Sequence, residues 1–204
     1  METRDKILAA ADQLFGDLGF DATTTRDIAS RSGINKALIH YHFGTKDELL
    51  AVLLEGYYAR LAATMQGALA AKRGARARPA AQVEALLDAY ADFLAANHSF
   101  TRIVQREIAS GRHVERVVER TLPLFQLGID WVGSTFKKPP RDFDAVNLLV
   151  TAYGMVVTWF TWSEVLKRLT GQDPLSDAAL AARKRHVREV LVLLLAKLEV
   201  KEPN

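Results

Sequence analysis

The sequence predicts an all-α chain: a three-helix helix-turn-helix module at the N-terminus, followed by a larger helical bundle. Apolar residues recur at three- and four-residue steps along almost the whole length, the spacing that lines one face of a helix. Alternating, strand-like runs are nearly absent, and the breaks fall on Gly, Pro, Ser and Asn at helix-length intervals. Of 204 residues 49% are hydrophobic and 25% charged, enough apolar material for a sizeable core.

Taken in order, Ile7, Ala11, Leu14, Phe15 and Leu18 make the first helix, and Gly19 stops it. Thr24 is an N-cap with Asp27 three residues on, so the second helix starts there and runs to Ser32-Gly33. Gly33 is expected at positive φ, where the chain must reverse sharply. Asn35 caps a third helix, Lys36 to about Phe43. Thr45 with Glu48 forms a capping-box pattern for a fourth that reaches about Ala71. The basic stretch Lys72–Arg78 reads as a solvated loop. Further helices are expected from about Val83 to Asn97, from Phe100 to Ala109, and over 113–136 with a bend or break at Pro123. Lys137–Pro140 is a stop, and two long helices, roughly 143–169 and 176–198, close the chain.

Several function classes drop out. Cysteine is absent, so disulfides and thiolate metal sites are excluded. The five histidines show no ligand spacing and read as surface or capping residues, so no metal and no cofactor is expected. No nucleophile–base pair or carboxylate dyad stands out, which argues against an enzyme. A membrane span needs roughly 20 mostly apolar residues, whereas the most apolar run, 146–160, is broken by Asn147, Thr151 and Gly154. A cytoplasmic protein without a membrane partner is expected. The net charge of +3 does not itself argue for nucleic acid, because residues 1–50 hold six bases against eight acids. Between Ala22 and Lys46, however, four bases face only Asp27, a local basic stripe.

The informative stretch is 19–50. Ile28, Ala29, Ile34, Ile39 and Phe43 are spaced to pack inward on Leu14 and Phe15, which leaves Lys36, Ala37, Leu38, His40 and Tyr41 facing out on the third helix. A helix of that size fits the DNA major groove, its N-terminal residues nearest the bases. The run GFDATTTRDIASRSGINKALIHYHFGTKDELL (19–50) resembles the signature of the tetracycline-repressor (TetR) family, with many positions matched at fixed spacing. The likeness spans residues 3–50; beyond it only length and helical texture agree.

That resemblance implies roles. Thr25 would hold a phosphate and Arg26 a phosphate or a base. Asn35, Lys36 and Leu38 would read bases, with the small Ala37 allowing close approach. Tyr41 would touch the backbone or a thymine methyl, and Lys46 a phosphate. His40 stands where the family usually has a phosphate-binding tyrosine.

The resemblance also divides the chain into a DNA-binding domain, 1–48, and a dimerisation and effector domain, 49–204. Aromatic residues of the latter would line an apolar ligand cavity, the candidates being Phe93, Phe100, Arg106, Phe125, Trp131, Met155 and Trp159, with Arg102, Glu107, Gln126 and Thr158 as further polar groups. The last two helices would pair with their symmetry mates through Val156, Phe160, Val187, Leu191 and Leu194. The expected function is a homodimeric repressor of a palindromic double-stranded operator, released by a small apolar or amphipathic effector. The alternatives are an activator of the same fold, a ligand-independent DNA-organising protein, and, from another class, a helical enzyme with a vestigial helix-turn-helix.

Overall fold

The computed structural model describes residues 2–72, 78–136 and 143–199, with side chains as far as Ala196. Most of the expected basic loop at 72–78 and all of the stop at 137–140 lie outside the described residues. Within them the chain is helical, without strands, in ten helices. These are α1 (Thr3–Leu18), α2 (Thr25–Ser32), α3 (Lys36–Phe43), α4 (Lys46–Ala71), α5 (Pro79–Ala96), α6 (His98–Ser110), α7 (Val114–Thr135), α8 (Ala145–Thr161), α9 (Ser163–Thr170) and α10 (Asp177–Glu199).

The chain forms two compact units, residues 1–60 with 97–121, and residues 61–96 with 122–204. In the first, α1 packs on α2 and α6 and α2 packs on α3. Its core holds Ile7, Ala11, Phe15, Ile28, Ile39, Leu49, Leu50 and Ile103, each nearly solvent-free because its helix turns one apolar stripe inward. Gly16 has a structural reason within α1: a Cβ there would stand 2.8 Å from Ser99 Cβ, so glycine lets α1 and α6 approach closely. Beside it, Tyr57 and Ser99 donate to the two oxygens of Asp12 at 2.6 and 2.7 Å, tying α4 and α6 to α1.

In the second unit α5 packs on α8 and α10. One core cluster joins Val132, Phe136 and Leu195 with Val83, Trp131 and Leu148 around it. α7 continues through Pro123 without a break. The segment expected as one helix over 143–169 is two. α8 ends at Trp162 (φ −101°, ψ 13°), and α9 leaves at 69°. No single helix among the described residues is long and apolar enough to cross a membrane, although α8 and α9 pass together by composition as a bent pair.

Local capping chemistry sets the short helices. Thr24 and Asp27 form a reciprocal box, with Asp27 N–H donating to Thr24 Oγ1 at 3.2 Å and Thr24 N–H to Asp27 Oδ2 at 2.8 Å. Thr45 and Glu48 repeat the arrangement at the start of α4. The threonine hydrogen bonds hold both carboxyls below their ordinary values. A depressed carboxyl stabilises the fold at neutral pH and loses that contribution as pH falls through its folded value. Thr24→Ala is therefore expected to lower stability in urea unfolding at neutral pH, as loss of an N-cap does. The difference from wild type should shrink below the ordinary carboxylate range; a difference constant with pH would contradict the box.

Candidate nucleic-acid interface

The candidate surface is built by α2, the turn after it, and α3. Gly33 closes α2 in the left-handed region (φ 69°, ψ 21°), as the sharp reversal requires. Its N–H returns to Ala29 and Ser30, and Ile34 N–H donates to Ala29 O at 3.2 Å, so the turn is pinned by its own backbone. Asn35 Oδ1 accepts from Ala37 N–H at 2.9 Å and starts α3. Ile39 and Phe43 anchor α3 from below at 1% and 5% exposure.

What remains faces water. Asn35, Lys36, Ala37, Leu38, His40 and Tyr41 are all exposed, and Arg26 is exposed on α2 beside a half-buried Thr25. Tyr41 is 82% exposed and Leu38 40%, apolar surface that packing does not account for. Electrostatics favour an anion at the same place. α1, α2 and α4 each carry acid in the first turn, whereas α3 carries none, so the positive end of its dipole is left uncompensated beneath Lys36. Of the DNA-contact residues named from the sequence, eight lie at this surface.

Lys46 is placed differently. Its ammonium lies over the Phe20 ring at 4.1 Å and donates to Phe20 O and Thr23 O at 2.8 and 2.7 Å. It fastens the α1–α2 connection to α4.

The ligand candidates divide between the two units. Phe100 and Arg106 belong to the first unit, where Phe100 packs on Tyr57 and Tyr58 and Arg106 donates to Phe15 O and Asp17 O. In the second, Phe93 is buried, Phe125 lies against Tyr153, and Trp131 Nε1 donates to Gln82 Oε1. Met155 O accepts from Arg183. Trp159 alone of the seven lines the apolar cleft between α5, α8 and α10, with Leu87, Ala91, Val156, Phe160 and Val187. Among the further polar candidates, Arg102 pairs with Asp17 and Gln126 with Asp130, while Thr158 is exposed. Glu107 is 4% exposed and lies against His113, which the sequence reads as a surface or capping residue.

The dimer candidates differ in burial. Val156, Val187 and Leu191 are buried within the single chain at 4%, 2% and 1%, whereas Phe160 and Leu194 are half-buried. The outward apolar residues of the same helices are Val146 and Val150 on α8 and Leu193 on α10.

Comparison with known proteins agrees with this geometry. Residues 7–53 match the family described as bacterial regulatory proteins, tetR family. The chain is 29% identical over 181 residues to the transcriptional repressor Rv3405c of Mycobacterium tuberculosis, covering 88% of this chain and 83% of that protein. It is 34% identical over 87 residues to the transcriptional activator FasR of Mycolicibacterium smegmatis, covering 43% and 40%. Its fold is that of the ketosteroid transcriptional regulator KstR2 of M. tuberculosis, with TM-score 0.72, 20% identity and 94% of each chain covered.

Proposed function

Because the chain belongs to the tetR family of bacterial regulatory proteins and is a DNA-binding transcription regulator, we propose that it acts as a homodimeric repressor of a palindromic operator, released by a small ligand. The observation that carries this reading is the exposed face of α3, with Lys36, Leu38 and Tyr41 presented on a short helix that is capped at its start and anchored beneath. Such a helix enters the major groove, and a two-fold dimer places two of them about one helical turn of DNA apart. Arg26, Lys36 and Tyr41 supply phosphate and base contacts. Asn35 keeps its amide nitrogen for a base while its oxygen holds the cap.

Residues 1–48 carry DNA binding, and residues 49–204 carry dimerisation and effector binding. Dimerisation runs through the outward faces of α8 and α10, where Val146, Val150 and Leu193 are 50%, 51% and 70% exposed and a Cβ at Gly154 would meet nothing within 4 Å. The effector is apolar or amphipathic, in keeping with the steroid in KstR2's name and with the apolar walls of the Trp159 cleft. Repression rather than activation follows the named repressor that matches most of the chain, whereas the activator matches less than half.

Selection of bound DNA from a random pool by the purified protein, at a stated salt concentration, tests the reading. A palindrome with half-sites about one helical turn apart is expected. A folded dimer that enriches no sequence would count against sequence-specific regulation.

A further inference from the structure

Where α6 ends, Gly111 takes the left-handed conformation (φ 71°), and two residues later His113 turns inward, 6% exposed. Both of its ring nitrogens meet carboxylates. Nδ1 lies 2.5 Å from Glu107 Oε2 on α6, and Nε2 lies 3.0 Å from Asp47 Oδ1 in the first turn of α4. The ring edge packs on Phe20 at 4.7 Å, and the ammonium of Lys46 covers the face of that same phenyl. Arg116, one turn along α7, donates to Asp47 O at 2.7 Å, and Arg112 pairs with Asp21 at 2.6 Å. Glu107, Asp47, Lys46, Arg116 and the Arg112–Asp21 pair are the charged groups around the ring.

A count of hydrogens is decisive. A neutral imidazole carries one N–H, and two ionised carboxylates carry none. Two hydrogen bonds need two hydrogens. The cluster Glu107–His113–Asp47 therefore closes with one proton more than a neutral ring between two carboxylates supplies, wherever along the cluster that proton sits. We propose that His113 is a positioning residue for the DNA-binding module, a proton-dependent clamp that holds the first turn of α4, and with it the end of α3, against α6. The inference rests on the reading of the module as DNA-binding.

When the extra proton leaves, a ring nitrogen lone pair faces a carboxylate oxygen and one contact must open. Glu107 is shut off from water at 5% side-chain exposure, whereas Asp47 is 52% exposed and can be rehydrated. The contact that opens is the one to α4, beside Phe43, Gly44 and Thr45. The hydrogen bond from His113 also holds the Asp47 carboxyl below its ordinary value, which keeps that acceptor ionised on the acid side. The clamp is thus closed at lower pH and opens as pH rises.

The test uses the full chain between about pH 5 and 8, following amide exchange of the first turn of α4, corrected for intrinsic rates, and the histidine ring nitrogens by NMR. In wild type, protection there should fall about tenfold or more from acid to alkaline pH, as a charge-assisted bond is lost. Glu107→Gln is the discriminating variant. Its amide N–H donates to Nδ1, the ring's own hydrogen serves Asp47, and the clamp closes around a neutral imidazole. It should stay protected within about twofold across the range. His113→Phe should be unprotected throughout. Operator affinity, measured on the DNA recovered by selection, should follow the same profile in wild type and be flat in Glu107→Gln. Protection that is flat in wild type, or a ring with one unprotonated nitrogen and Glu107 ionised at acid pH, overturns the clamp. The expected exchange profile together with pH-independent affinity overturns the positioning role. If no operator is recovered, the DNA-binding reading fails, and the exchange result decides the clamp by itself.

Discussion

Lys36→Ala combined with Tyr41→Ala is expected to weaken binding to the selected operator by about 30- to 1,000-fold, since each contact to bases or backbone contributes about 1–2 kcal/mol. The fold should be nearly untouched. Both side chains are exposed on α3, so unfolding should shift by no more than about 0.5 kcal/mol. Removal of Lys36 takes a cation from the positive end of the helix dipole, which on its own slightly favours the helix. Loss of affinity therefore has to come from lost DNA contacts. Electrophoretic mobility shift across a salt series separates the two kinds: a phosphate contact lowers the salt slope by about one and weakens all sequences alike, whereas a base contact relaxes preference at one position. Unchanged affinity in a folded double variant would remove α3 as the reading element.

The second large effect is expected at the outward faces of α8 and α10. Val150→Arg with Leu193→Arg places cations where apolar side chains are 51% and 70% exposed in the single chain. The variant should sediment as a monomer while remaining helical. Operator affinity should fall at least about a hundredfold, with the salt slope cut roughly in half, because one module holds only one half-site's phosphates. Leu191→Arg is the contrasting variant: at 1% exposure it should unfold the second unit rather than separate two copies. A Val150/Leu193 variant that stays dimeric would move the interface to another face.

The two pairs of residues show where the sequence was legible. Caps are local, so Thr24 with Asp27, Asn35, Thr45 with Glu48, and the left-handed Gly33 could each be placed from neighbours within four positions. The outward residues of α3 followed from the same short register, because Ile39 and Phe43 fix which way the helix rolls. α8 and α10 are apolar over so much of their circumference that periodicity does not set the roll. Each residue turns a helix by about 100°, so Leu191 faces the internal core while Leu193, two positions on, faces out. The bend at Trp162 carries neither Gly nor Pro, the usual signals for a break. The internal contacts of Lys46 with the carbonyls of Phe20 and Thr23, and of His113 with the carboxylate of Asp47, were missed for another reason: they span 23 to 66 residues.

The close seating of Gly16 against Ser99 has a mechanical meaning. With the backbones of α1 and α6 separated by little more than a missing methyl group, and Asp12 gripped by Tyr57 and Ser99 one turn away, the two helices have almost no backlash. The seat of α6 is thereby also the seat of α1, against which α2 packs, so the joint fixes where the recognition machinery begins.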